Sequence, residues 1–173
     1  MIKSICLALA LLAAMTTKTA DPVCKSLGDA SAKAFSMPVH LYTSETAAFT
    51  GGKPRNGELV YVNEKTYILV NGKWRVSPIT SKQRQEMRAE AERDPDTKCH
   101  ALRDEAVNGE PATLYSLQRT TPDDKIDTRV WISKTRGVPL KEESDMDACG
   151  PAGKSHRTTR YKYTNVQPPA GVK

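Results

Sequence analysis

Three histidines and four cysteines are the obvious side chains with which this chain of 173 residues could do chemistry. His40, His100 and His156 are scattered, and no pair shows the C-x-x-C or H-x-x-x-H spacing that a metal needs. Cys99 and His100 are neighbours on a strand-like run, so they point to opposite faces and make poor co-ligands. No G-x-S-x-G elbow accompanies the serines. The acids Glu142, Glu143, Asp145 and Asp147 follow one another along a strand, where carboxylates usually sit in water rather than flank a bond to be hydrolysed. Gly51-Gly52 and the glycines at 150 and 153 lack the strand-to-helix setting of a phosphate-cradling loop. The expectation is a protein with no catalytic residue, metal or cofactor, whose work is binding.

The elements that would position a binding site begin after residue 20. Lys3 and the apolar run Ile5–Ala14 read as a signal peptide, the run being about ten residues and too short to span a bilayer. Cleavage is expected near Ala20, with Thr16 as an alternative, giving an exported, periplasmic protein. Removing residues 1–20 takes away Lys3 and Lys18 and no acid, so the net charge falls from +6 to +4. About 150 remaining residues are enough for one domain with its own core. In an oxidising compartment Cys24, Cys99 and Cys149 leave one disulfide and one odd thiol, with three pairings open. Cys24–Cys99 is favoured, because it would staple the N-terminal segment to the sheet.

Residues 23–36 read as a helix with Val23, Leu27, Ala30 and Ala34 on one stripe, stopped by Pro38. Strands are expected at 39–43, 58–63, 65–70 and 73–76, with Asn71-Gly72 as a hairpin turn. Thr80–Asp94 reads as a second, polar helix opened by the capping box Thr80-Ser-Lys-Gln83. From Thr97 the chain is strand after strand, at 99–106, 112–119, 125–133, 138–146 and 155–166. Several of these are apolar on both faces, which requires helices packed on the sheet or a sheet curled around an apolar interior. The expected fold class is α+β: a curved antiparallel sheet forming a half-barrel, with an N-terminal helix and a second helix at its open side.

A curled sheet of this kind suits a hydrophobic ligand. The lining candidates are Tyr61, Tyr67, Leu69, Leu114, Tyr115, Trp131, Leu140, Tyr161 and Tyr163. After Asp147 there is no acid, while Lys154, Arg157, Arg160, Lys162 and Lys173 follow. The plain reading of that charge is a solvated strand face and a tail. The sharper one is contact of Arg157, Arg160 and Lys162 with an anionic membrane surface or an acidic protein partner. Nucleic acid is not expected, since no aromatic-basic recognition motif is present.

Asn108-Gly-Glu with Tyr115-Ser, Val130-Trp-Ile-Ser-Lys-Thr-Arg-Gly-Val-Pro-Leu140 and Tyr161-Lys-Tyr-Thr-Asn-Val166 together resemble the periplasmic outer-membrane lipoprotein carrier superfamily (LolA/LolB-like). Members of that superfamily carry a V-W-I-d…G-l-P-l hairpin followed by an f-x-N-V strand. The likeness covers about residues 97–168. It implies a single half-barrel domain over residues 21–168, a flexible tail at 169–173, and an interior that shelters a lipid, an acyl chain or another apolar small molecule. The polar helix at 80–94 departs from the family's apolar lid, and no family site residue maps onto a position here. The absence of a lipid-attachment cysteine resembles the soluble carrier rather than the anchored acceptor. The functional expectation is a soluble periplasmic carrier of a hydrophobic or lipidic ligand. Its alternative is an exported interaction module with a packed core and a basic docking face.

Overall fold

The computed structural model describes residues 21–80, 83–84, 86–87, 94, 96–148 and 153–172. The leader, Cys149 and most of the expected second helix lie outside the described residues. The helix α1 spans Pro22–Ala34. Asp21 caps it by accepting a hydrogen bond from the Val23 N–H at 2.8 Å, and Pro22 occupies the first turn, where it removes no hydrogen bond. Nine strands follow: β1 (Val39–Ala47), β2 (Arg55–Val62), β3 (Lys65–Val70), β4 (Lys73–Val76), β5 (Thr97–Val107), β6 (Glu110–Thr120), β7 (Asp124–Ser133), β8 (Pro139–Ala148) and β9 (Gly153–Lys162).

Every strand pair is antiparallel, in the order β4-β3-β2-β1-β9-β8-β7-β6-β5. The sheet does not close, and β4 and β5 are its edge strands among the described residues. The expected half-barrel is therefore present. Asn71-Gly72 and Asn108-Gly109 take positive φ at both central positions (51° and 71°, 50° and 82°), as tight hairpins between right-twisted strands require. Gly57 serves a different need: a Cβ there would sit 2.7 Å from Thr43 Oγ1 on β1. One neighbouring pair is not consecutive, β1 with β9, in register through Tyr42 opposite Arg160.

Side-chain alternation gives each strand two working faces. On one face Cys24 and Leu27 of α1 pack on Cys99 and Val130, with Val23, Tyr115, Leu117 and Ile132 around them. The Cys24–Cys99 disulfide joins α1 to β5 with 5.2 Å between Cα atoms, the pairing favoured from the sequence. On the other face Ala112, Leu114, Trp131 and Leu140 form a second cluster. Trp131 donates its indole N–H to Glu105, and Lys141 Nζ lies 4.5 Å above its ring. A third cluster, on this same outer face, joins Val60, Val62 and Tyr67 with Trp74, Val166 and Val172. The C-terminal segment therefore leans on β2–β4, and Val172, in the stretch expected as a tail, makes part of that contact.

The start of the second helix has the capping box expected of it. Thr80 N–H donates to Gln83 Oε1 at 2.9 Å and Gln83 N–H to Thr80 Oγ1 at 3.2 Å. One turn on, the Arg84 guanidinium lies 5.1 Å from the Phe35 ring centroid and donates to Thr66 at 3.4 Å.

Candidate functional site

The strand period places Leu117 and Arg119 of β6 and Ile126, Thr128 and Val130 of β7 on the face that α1 covers. Between them and the helix lies a cavity of about 290 Å³. Leu27, Gly28, Ser31 and Cys24 form its roof; Leu117, Ile126, Val130 and Pro139 form the apolar floor. Thr97, Arg119, Thr128 and Glu142 supply the polar groups. Mostly apolar walls with a few polar groups are what a small-molecule pocket needs, and the volume is near the lower end of such sites.

The polar groups differ in how they are satisfied. Thr128 Oγ1 and Ser144 Oγ share a hydrogen bond of 3.0 Å. Arg119 Nε stands 3.0 Å from Asp94 Oδ2, an ion pair, but off the hydrogen-bonding angle. Glu142, opposite Val130 in the ladder, accepts a 3.3 Å hydrogen bond from the Tyr161 hydroxyl. Its neighbour Glu143, on the other face, pairs with Arg129 at 3.0 Å and Lys141 at 2.6 Å.

Two further cavities are more polar. One, of about 590 Å³, lies at the end of the sheet beside Ala47, Ala48 and Gly52. Its walls carry the ion pairs Lys125–Asp127 (3.0 Å) and Lys154–Asp147 (3.6 Å) and the hydrogen-bonded His156 and Asp145 (2.7 Å), so it suits an apolar ligand less well despite its size. The other, of about 340 Å³, opens beside Tyr42, Arg160, Lys162, Tyr163, Glu110 and Arg136. There burial pushes the Tyr163 phenol well above its ordinary pKa, and its hydroxyl donates to the Pro139 carbonyl at 2.6 Å. Among the described residues no group of three or more His, Cys, Asp or Glu converges to hold a metal ion.

The nine side chains expected as cavity lining are divided between the faces. Tyr115 packs in the cluster beneath α1, and Tyr61 meets Phe35 edge-on at 6.0 Å. Tyr161 reaches Glu142, and Tyr163 stacks on Tyr161 with centroids 6.4 Å apart. Leu114, Trp131 and Leu140 lie in the outer cluster, and Tyr67 and Leu69 face the same way beside Trp74. None of the nine borders the 290 Å³ cavity. Of the residues that do, Glu142 read from the sequence as a solvated carboxylate. Arg160 and Lys162 project from the outer face, and Arg157, in register with Glu45 and Ser144, from the helix-covered one.

No family model matches the sequence and no curated protein matches it. Solved structures do. LprF from Mycobacterium bovis is 10% identical, with 88% of this chain and 99% of that chain covered and a TM-score of 0.43. The Mycobacterium tuberculosis lipoprotein LppX is 10% identical over 85% and 100% of the two chains, at 0.47. The LolA superfamily protein NE2245 from Nitrosomonas europaea is 11% identical over 83% and 91%, at 0.30.

Proposed function

We propose that this protein is an exported carrier that binds a hydrophobic or lipidic small molecule between α1 and the half-barrel, without chemistry. One observation carries the reading: the floor of Leu117, Ile126 and Val130 is roofed by a helix yet not filled, leaving about 290 Å³. A partly roofed apolar groove with a few polar groups at its rim has the form of a small-molecule site. A ligand here gains on the order of 25 cal/mol for each Å² of apolar surface removed from water.

The test is uptake of an uncharged fluorescent probe such as N-phenyl-naphthylamine by the mature chain. The wild type should bind it, and Val130→Trp, which places an indole in the cavity, should weaken binding at least about tenfold, a change of about 1.4 kcal/mol. Arg160→Ala, on the outer face, should leave binding intact. Absence of uptake by the wild type, or uptake indifferent to Val130→Trp, would remove the carrier reading.

A further inference from the structure

Glu142 is the side chain that the carrier reading does not explain. Its half-buried carboxylate borders an apolar cavity, where an ion pair gains strength as a ligand excludes water. Its neighbours are paired: Glu143 has Arg129 and Lys141, and Arg119, at the other end of the same cavity, has Asp94. Glu142 receives one long hydrogen bond, from the Tyr161 hydroxyl at 3.3 Å, and no lysine, arginine or histidine among the described residues forms an ion pair with it. Among the described residues, the cavity thus carries one carboxylate without an ion-pair partner, beside walls of Leu27, Ile126 and Val130.

From this we infer that the ligand is a cationic amphiphile, an aliphatic body bearing a protonated amine, whose head is held by Glu142. The inference rests on the carrier reading and specifies its cargo. An ammonium donates up to three hydrogen bonds, and a charge-assisted one to a carboxylate is about twice as strong as a neutral one. A carboxylate head would meet like charge at Glu142, and at Arg119 it would have to displace Asp94. An alcohol head could donate to Glu142 but would leave its charge unbalanced.

Decylamine, decanol and decanoate, each competing with the uncharged probe at neutral pH, separate these cases. Decylamine should displace the probe at roughly tenfold lower concentration than decanol, the size of one charge-assisted hydrogen bond, and decanoate should be the weakest. In Glu142→Gln the ratio of amine to alcohol should collapse to near one. An amine no better than the alcohol, or a preference that survives Glu142→Gln, overturns the inference. If Glu142→Gln fails to fold, the wild-type ratio of amine to alcohol still decides. Decanol binding without an amine preference would defeat the inference and spare the carrier reading. Failure of all three ligands and of the probe would defeat both.

Discussion

At the start of β6 one carboxylate gathers a corner of the molecule. Glu110 accepts hydrogen bonds from Ser133 Oγ at 2.5 Å, Arg136 Nε at 2.9 Å and Arg136 Nη2 at 2.6 Å. Arg136 in turn lies 4.9 Å from the Tyr163 ring centroid, so β6, the turn after β7 and the residues after β9 are tied together. The bonds from Arg136, foremost, hold the Glu110 carboxyl below its ordinary range. A depressed carboxylate stabilises the fold above its unfolded pKa of about 4.3, and that contribution is lost as pH falls through the lower folded value. Both side chains are partly exposed, so solvent screening limits the network to about 1 kcal/mol. Glu110→Gln should therefore melt earlier than the wild type at neutral pH, with the two curves converging as pH falls through the lowered folded value. Asp104, held low first by Lys134, and Glu105, held low first by Trp131, persist in the variant, so its acid limb should shrink rather than vanish. Urea midpoints collected across pH check this, and an acid limb as steep as the wild type's would exclude Glu110 as a source of it.

The helix α1 is the element on which the cavity depends, and it has little of its own to hold it. Its 13 residues are at the margin of what stands alone in water, and most of its buried face is Cys24, Gly28, Ala30 and Ala34, with Leu27 the one large side chain. The disulfide closes a span of 75 residues, for which chain-entropy estimates give about 4 kcal/mol. Replacing both Cys24 and Cys99 with serine should lower stability by roughly that amount and weaken probe uptake as the roof loosens. Urea unfolding with and without reductant, alongside probe titration, measures both. Unchanged uptake in a destabilised double variant would mean that the roof is held by packing alone. The helix and the hairpins were legible in the sequence because their signals are local: a stripe of apolar spacing, a proline stop, Asn-Gly turns. The pairing of β1 with β9 was not, since nothing local in Ser44–Ala47 marks a strand; those residues extend because β9 and part of β2 flank them. The cavity was half legible for a related reason. Aromatic residues suggested themselves as lining, yet face is decided by register, and Trp131 and Tyr67 fell on the outer side.

Across the whole molecule, the two halves of the sheet are covered on opposite faces. The helix α1 covers the strands next to β5, while the C-terminal segment covers β2–β4 from outside through Val166 and Val172. This arrangement explains strands that are apolar on both sides, which a sheet with one solvated face does not allow. It also gives the last residues a protective task. Beneath them lie Val60, Val62, Tyr67 and Trp74, next to an edge strand of only four residues whose Val76 is 50% exposed and is followed by Ile79 at 40%. An uncovered apolar patch beside a free edge is a template for association. Replacing Val166 and Val172 with serine should cost about 1–2 kcal/mol, since each valine is only partly buried. It should also make Trp74 more accessible to acrylamide while Trp131, 6% exposed in the other half, stays protected. Light scattering should then show concentration-dependent self-association that the wild type lacks. A variant that remains monomeric, with Trp74 quenched no faster than before, would show that the segment rests on the sheet without guarding it.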